Sequence, residues 1–319
     1  LNHGQKILAL TGAAGSGKST LMGRLAVKLR EEGKEVLPIF CGSTAFCRDA
    51  FAVIRYIVHF IEELFSLEHF EDNHVIGETG GRAASESSPA GQRNRSEIDR
   101  WTDRLAEMCA EYVRNTEREL VILLDAVDQL FADEARNQMR FIPAIFPDNI
   151  KIVCSFLDTF HPGYHNLLRK TEVIRPLAKS DKQEVIEGIL QSQKKELAVP
   201  VIKKMIEKEE SDNPLYLSLA AQRLVMMDRR DFEKIVALGD GINAITTHQM
   251  EIVDQLPEEL DDLCMNVLHA VAGKLVGNMA ELAARYIAVS RYGLRETDLE
   301  SIFTAPGNTG ASEGTGSER

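Results

Sequence analysis

The sequence lacks the features that mark disulfide-stapled, membrane-spanning and secreted proteins. It has only five cysteines in 319 residues, and an odd number in so long a chain argues against a disulfide framework. No apolar run approaches the roughly 18 residues that a membrane-spanning helix requires. Residues 1–4 have neither an initiator methionine nor the basic start of a signal peptide. We therefore expect a cytoplasmic segment of a longer polypeptide.

Metal-binding spacing is also missing. Cys41 and Cys47 do not form a C-x-x-C pair, and no second cysteine pair complements them as a zinc site. The histidines from His59 to His165 show no metal-like spacing beside an acidic partner, so we expect surface or core positions for them. We expect the cysteines to be buried as small apolar side chains.

The sequence has fewer basic than acidic residues. Lys and Arg number 37 against 49 Asp and Glu, which gives a formal net charge of −12. Binding to nucleic acid through overall charge needs clustered Lys and Arg, so we expect no nucleic-acid partner of that kind. The hydrophobic content of 44% is ordinary for a globular protein that buries a core. At roughly 150 residues per domain, the length predicts about two domains.

A glycine-rich loop at residues 12–19 matches the pattern G-x-x-x-x-G-K-S. It follows an apolar run at 7–10 and precedes a helical pattern, which is the context that identifies a phosphate-binding loop. Backbone N–H groups of such a loop bind the phosphates of ATP or GTP, Lys18 adds a charge at the β- and γ-phosphates, and Ser19 ligates Mg²⁺. The predicted nucleotide contacts here are Gly12, Ala13, Ala14, Gly15, Ser16, Gly17, Lys18, Ser19 and Thr20.

The periodicity of the chain predicts an α/β domain followed by helices. Short apolar runs predict strands at 7–10, 36–40, 120–125 and 150–155, and helical spacing predicts helices at 51–67 and 98–114. Residues 77–96 are almost free of apolar side chains and predict a flexible insertion. After residue 175 the pattern is helical, with Ser180 predicted to cap one helix and Asn213 another.

The predicted fold class is therefore α/β, a three-layer P-loop NTPase sheet with helical domains after it. The predicted domains are 1–175 for the nucleotide domain, 176–250 for a helical lid, 251–303 for a winged-helix-like module, and 304–319 for a disordered tail.

Two acids and one serine follow the later strands. Asp125 ends a strand whose other residues are apolar, where a carboxylate is costly unless a cation satisfies it. Mg²⁺ shared with Ser19 would supply that cation, which makes Asp125 the Walker B residue, although capping of the next helix is the alternative. Asp128 then orients or activates the attacking water. Ser155 is either a sensor of the γ-phosphate or a serine that satisfies a turn.

The order of these motifs resembles that of NACHT-type STAND ATPases. The resemblance extends from about residue 5 to residue 303 and is to the branch of the telomerase-associated protein, nephrocystin-3 and bacterial antiviral STAND proteins. It implies that Ala126 is the small residue after the Mg²⁺-binding acid and Asp128 the second acid. It also implies that Pro214, otherwise explained as the first residue of a helix, contacts the adenine. The segment 290–299 is similar to the end of the winged-helix module.

Four positions depart from the pattern of that family. Ala126 replaces a frequent glycine, Gln129 an acid, Asp212 a glycine and Phe156 an arginine. The changes at Gln129 and Phe156 imply slow hydrolysis, which suits a switch.

We therefore expect a signalling switch in which ATP drives homo-oligomerisation and activates an effector, with effector and sensor elsewhere in the longer polypeptide. Two alternatives remain at this point. A DNA-processing ATPase would need a basic recognition helix, whereas residues 296–300 are acidic. A small-molecule kinase would need an acceptor pocket and a basic lid.

Overall fold

The computed structural model divides the chain into two compact units, which we describe separately. The first comprises Leu1–Ala14 with Lys18–Ile174, and the second comprises Gly15–Gly17 with Arg175–Arg319. The structure describes residues 6–43, 47, 49–65, 90–130, 142, 147–160, 171–227, 229–239, 241–272, 279–290 and 294–304.

The first unit contains five strands and three helices in its described residues. In chain order they are β1 Ile7–Gly12, α1 Lys18–Glu31, β2 Glu35–Phe40, α2 Ala50–Leu64, α3 Ala90–Asn115, β3 Leu120–Asp125, β4 Ile150–Leu157 and β5 Thr171–Val173. A short 3-10 turn, Val127–Gln129, follows β3.

The strands form one parallel sheet in the order β2-β3-β4-β1-β5. The register pairs Ile7 with Ile152 and Leu120 with Ile150, which aligns the carboxyl ends of β1, β3 and β4. Crossover connections between parallel strands place helices on the faces of a sheet. The strand order puts β4 between β1 and β3, so the end of β4 lies between the ends of those two strands.

Alternate residues of the strands enter two separate apolar clusters, because successive side chains of a strand point to opposite faces. Ile122 and Leu124 of β3 belong to a cluster that also contains the inner faces of α2 and α3. Val121 and Leu123 belong to a second cluster with Met22 of α1. The unit is therefore a three-layer α/β domain, as the sequence predicts.

The second unit is helical throughout its described residues. Its helices are α4 Lys179–Ser192, α5 Val199–Ile206, α6 Pro214–Val225, α7 Arg229–Leu238, α8 Ile242–Gln255, α9 Leu260–Ala272, α10 Met279–Val289 and α11 Glu296–Thr304.

The core of the second unit contains residues from before and from after position 250 in the chain. Tyr216 and Leu217 of α6 are fully buried together with Val253 of α8 and Leu263 of α9. The Tyr216 hydroxyl donates a hydrogen bond to the Pro257 carbonyl, 2.7 Å away. Helix α8 runs across the predicted boundary between lid and winged-helix module, and that boundary stays a prediction.

Three local features differ from the sequence predictions. Helix α3 begins at Ala90, before the predicted start at residue 98, so residues 90–96 of the predicted insertion are helical, and its flexibility stays a prediction. Residues 77–89 and 305–319 lie outside the described residues. Ser180 does not cap α4, because the helix already begins at Lys179 and the Ser180 hydroxyl bonds to Asp181. The short strand β5 was not predicted, since three exposed residues carry no apolar pattern.

No helix in the described part of the chain is both long enough and apolar enough to cross a membrane.

Truncation of the central strand should destabilise the first unit. Ile122 is 0% exposed, and Ile122→Ala should lower the free energy of unfolding by about 2–5 kcal/mol because it leaves a cavity. The single tryptophan of the chain, Trp101, is fully buried in the same cluster, so its fluorescence during urea unfolding reports on this unit.

Val27→Ala is the control for this measurement. Val27 is exposed on α1, and its truncation should change the free energy by no more than about 0.5 kcal/mol. Equal unfolding curves for Ile122→Ala and the unmodified protein would contradict the described core.

Candidate functional site

The loop between β1 and α1 has the backbone of a phosphate-binding loop. Gly15 has φ 76° and Gly17 has φ 90°, values that strain any residue with a Cβ. Helix α1 begins at Lys18, directly after the loop. The N-terminus of a helix attracts anions through its free N–H groups and its dipole. The backbone therefore meets the requirement that the sequence motif implies.

Lys18 lies close to three carboxylates of the first unit. Its Nζ donates hydrogen bonds to the carbonyl oxygens of Gly12 and Ala13, at 2.9 and 2.8 Å. Burial lowers the pKa of the Lys18 ammonium, and the charges of Asp128, Asp158 and Asp125 partly oppose that shift, in decreasing order. The Lys18 ammonium is therefore a partly buried cation in the field of three carboxylates.

Asp125 ends β3 as a buried carboxylate with a defined hydrogen-bond partner. It is 4% exposed, and the Ser155 hydroxyl donates to its Oδ1 at 2.5 Å. The same hydroxyl accepts the N–H of Ala126 at 2.9 Å. Ala126 has φ 54°, a left-handed conformation that is strained for a residue with a Cβ. Ser155 thus fixes both the carboxylate and the turn that follows it.

Asp128 is also tied to the end of β4. Its Oδ1 accepts the backbone N–H of Leu157 at 3.1 Å. The N–H of Asp158, one residue further on, donates to the Gly12 carbonyl at 3.3 Å. The end of β4 therefore connects the phosphate loop with both acids that follow β3. We call residues 155–158 the β4 clasp.

Asp158 is a site residue that the sequence reasoning missed. Its charge acts on Lys18 more strongly than that of Asp125 does. A usable signal existed, because Asp158 is an acid just after a buried strand, as Asp125 and Asp128 are. Its relevance depends on β4 lying next to β1, which the strand order decides.

Ser19 and Asp125 are suitable ligands for the Mg²⁺ of a bound nucleotide. Mg²⁺ is usually held by one or two carboxylates together with phosphate oxygens and water. A hydroxyl at the start of α1 and a buried carboxylate at the end of β3 match that donor set. Within the described residues, no group of three or more His, Cys, Asp or Glu forms a metal site by itself.

Pro214 is the first residue of α6 in the second unit. Asn213 caps the helix, because its Oδ1 accepts the Leu215 N–H at 2.9 Å. The predicted helix start is confirmed, and the predicted adenine contact of Pro214 stays a prediction.

The parallel sheet, its strand order and the G-x-x-x-x-G-K-S loop between β1 and α1 together define a P-loop NTPase fold. Residues 1–157 match the family model for the N-terminal region of nephrocystin 3. That match covers just under half of the chain. The sequence matches no curated protein significantly.

Solved structures show only a remote likeness. The Holliday junction branch migration motor RuvB of Thermotoga maritima has 14% identity and a TM-score of 0.41, over 90% of this chain and 75% of that chain. Domain III of the Thermotoga maritima replication initiation protein DnaA has 12% identity and a TM-score of 0.41, over 79% and 86%. The Aeropyrum pernix ORC1 protein, solved in complex with DNA, has 13% identity and a TM-score of 0.40, over 89% and 66%. Likeness at this level says nothing about what this chain binds.

Removal of the Lys18 ammonium should abolish most nucleotide binding. We expect Lys18→Ala to weaken binding of a fluorescent ATP analogue by roughly tenfold to over a hundredfold, since a hydrogen bond from a charged group is worth about 1.5–3 kcal/mol. Lys28→Ala, at an exposed position of the same helix, should bind as the unmodified protein does. Unchanged affinity of Lys18→Ala would refute the site assignment.

Loss of the Ser155 hydroxyl should weaken the contribution of Mg²⁺ to ATP affinity. Ser155→Ala leaves the Asp125 carboxylate and the Ala126 N–H without their partner, at a cost of about 1–3 kcal/mol for each buried group. We expect the gain in ATP affinity on adding Mg²⁺, measured by calorimetry against an EDTA titration, to shrink severalfold. Ser43→Ala, on the exposed loop after β2, is the control. An undiminished gain in Ser155→Ala would show that the hydroxyl does not position Asp125.

Proposed function

We propose that the chain is an ATP-binding and slowly hydrolysing switch of the NACHT type within the STAND ATPases. Its nucleotide state controls homo-oligomerisation and activates an effector in the same longer polypeptide, in defence or signal transduction. The motif order supports this proposal, as does the match of residues 1–157 to the nephrocystin 3 family model. ATP with Mg²⁺ is the proposed ligand of residues 12–20.

One observation carries the nucleotide-binding part of the proposal. The first unit holds Lys18, Asp125 and Asp128 around the β4 clasp, with hydrogen bonds from the clasp to Gly12 and to both acids. A rearrangement of the phosphate loop would therefore be felt at both carboxylates. That linkage is what a switch needs, because a ligand shifts an equilibrium only through contacts that differ between the two states.

The surroundings of the proposed catalytic groups support slow hydrolysis. Phe156, at the position of the family's arginine, is 4% exposed and packs edge-to-face on Phe160 at 5.6 Å between ring centroids. An apolar side chain in the core supplies no positive charge to a transition state. Oδ1 of Asp128 is occupied by the Leu157 N–H, which constrains how this carboxylate can orient a water molecule.

The segment before α6 forms several polar contacts within the second unit. Lys182 donates to the Ser211 hydroxyl at 2.9 Å and forms an ion pair with Asp212. The Leu177 N–H donates to the Asp212 carbonyl at 3.0 Å. We retain the contact between Pro214 and the base as a proposal. The base would then lie against the start of a helix whose preceding segment makes these contacts.

The bound nucleotide should control the oligomeric state of the protein. We expect a larger species with Mg²⁺ and a non-hydrolysable ATP analogue than with ADP, measured by size-exclusion chromatography with light scattering. Lys18→Ala should show the ADP-like mass in both conditions, because it lacks the cation that binds the phosphates.

If the protein has the same mass with the ATP analogue as with ADP, the proposed switch is refuted. Binding to duplex DNA that weakens steeply with salt, in place of a mass change, would favour a DNA-processing ATPase.

A further inference from the structure

Helix α7 exposes three of its four large apolar side chains. Phe232, Val236 and Leu238 are 56%, 71% and 46% exposed, whereas Ile235 is 7% exposed. Phe232 and Val236 are four residues apart and therefore lie on the same side of the helix. A helix that follows the usual pattern turns this side to the core. Here it faces outward.

The start of α8, which follows α7 in the chain, also exposes apolar side chains. Ile242 and Ile245, three residues apart, are 75% and 36% exposed. Helices α7 and α8 pack on each other as a hairpin, and Leu238 and Ile242 flank its turn. We call Phe232, Val236, Leu238, Ile242 and Ile245 the α7–α8 patch.

A buried histidine–aspartate contact joins α7 to α8. His248 Nε2 of α8 lies 2.9 Å from Asp231 Oδ1, and the two residues are 2% and 8% exposed. Ile235 is the apolar residue that α7 buries beside this pair. A helix of ten residues is marginal in isolation, so the pair holds α7 in place with its apolar side outward.

The area of the patch suits a pairing surface. Its five side chains expose apolar area on the order of 500 Å², and patches of roughly 300–600 Å² on monomers are often functional. Two such patches in contact would remove about 1,000 Å² from water, which reaches the lower bound for a specific interface.

The charge of this region favours a second copy of the same chain as the partner. Residues 229–245, from the start of α7 to the last residue of the patch, contain three basic residues, Arg229, Arg230 and Lys234, and three acidic residues, Asp231, Glu233 and Asp240. This segment is therefore neutral, although the rest of α8 adds Glu251 and Asp254 and the whole chain carries −12. Two acidic molecules repel least where they approach through neutral surfaces.

Charges of both signs also lie on α7 itself, where Arg229 pairs with Glu233 at 3.0 Å. A two-fold interface places the same patch on both sides, so a surface must complement itself. Mixed charges beside an apolar strip meet that condition.

We propose that the α7–α8 patch is the surface through which two copies of this chain pair. The inference rests on the proposed homo-oligomerisation and names its contact surface. A carboxylate introduced at the centre of the patch would be desolvated in the interface and would oppose its copy.

The test compares Phe232→Glu and Val236→Glu with Val289→Glu. Val289 is 80% exposed on α10, outside the patch, and gives a matched control. In Mg²⁺ and a non-hydrolysable ATP analogue, sedimentation should show Val289→Glu assembling as the unmodified protein does. The two patch variants should assemble at least tenfold more weakly while binding fluorescent ATP with unchanged affinity.

The outcomes separate this inference from the proposed function. Normal assembly of both patch variants would overturn the patch and leave the switch standing. An unmodified protein that stays monomeric in every nucleotide state would overturn both. Co-sedimentation of the unmodified monomer with phosphatidylserine vesicles, lost in Phe232→Glu, would assign the patch to a lipid surface and overturn the pairing. If circular dichroism shows that the α7 variants unfold, Ile242→Lys at the exposed start of α8 takes their place, with the same two outcomes.

Discussion

The site depends on one constraint, the burial of the Asp125 carboxylate at the end of the central strand β3. A buried carboxylate needs hydrogen bonds or a cation, and Ser155 supplies the hydrogen bond from the adjacent strand. The same hydroxyl binds the Ala126 N–H, so it also fixes the left-handed turn that leads to Asp128. The placement of β4 between β1 and β3 makes this possible. The phosphate loop, the two acids and the β4 clasp therefore form one connected set.

We propose that this set serves a regulator and not a fast enzyme. Lys18 is partly buried, held by loop carbonyls and placed near three carboxylates. A bound nucleotide would have to reorganise these contacts, and the β4 clasp would carry the change to Asp125 and Asp128. Phe156 in the core gives no charge to the reaction. In the second unit, α7 and the start of α8 expose the apolar side chains that we propose as a contact surface between copies.

Local sequence predicted the elements whose patterns are strong. Strands β1 to β4 are apolar runs too short for helices, and all four are present within a few residues of the prediction. The start of α6 was also predicted, because Asn213 and Pro214 act through bonds to their near neighbours. Ser180 failed as a cap because α4 begins one residue earlier, at Lys179, with Ala178 at the N-cap. Residues 90–96 were assigned to a loop because polar residues without apolar spacing give no helical signal, although they extend α3.

The sequence by itself determined the phosphate loop, the acid at the end of β3 and the α/β class, since each depends on residue type and short spacing. Only the tertiary structure decided which residues contact these groups. Ser155 and Asp158 gain their roles because the sheet order brings the end of β4 between β3 and β1, across separations of about thirty residues from Asp125 and well over a hundred from Gly12. The outward apolar side of α7 was likewise undetermined, because periodicity identifies an apolar face but not what covers it.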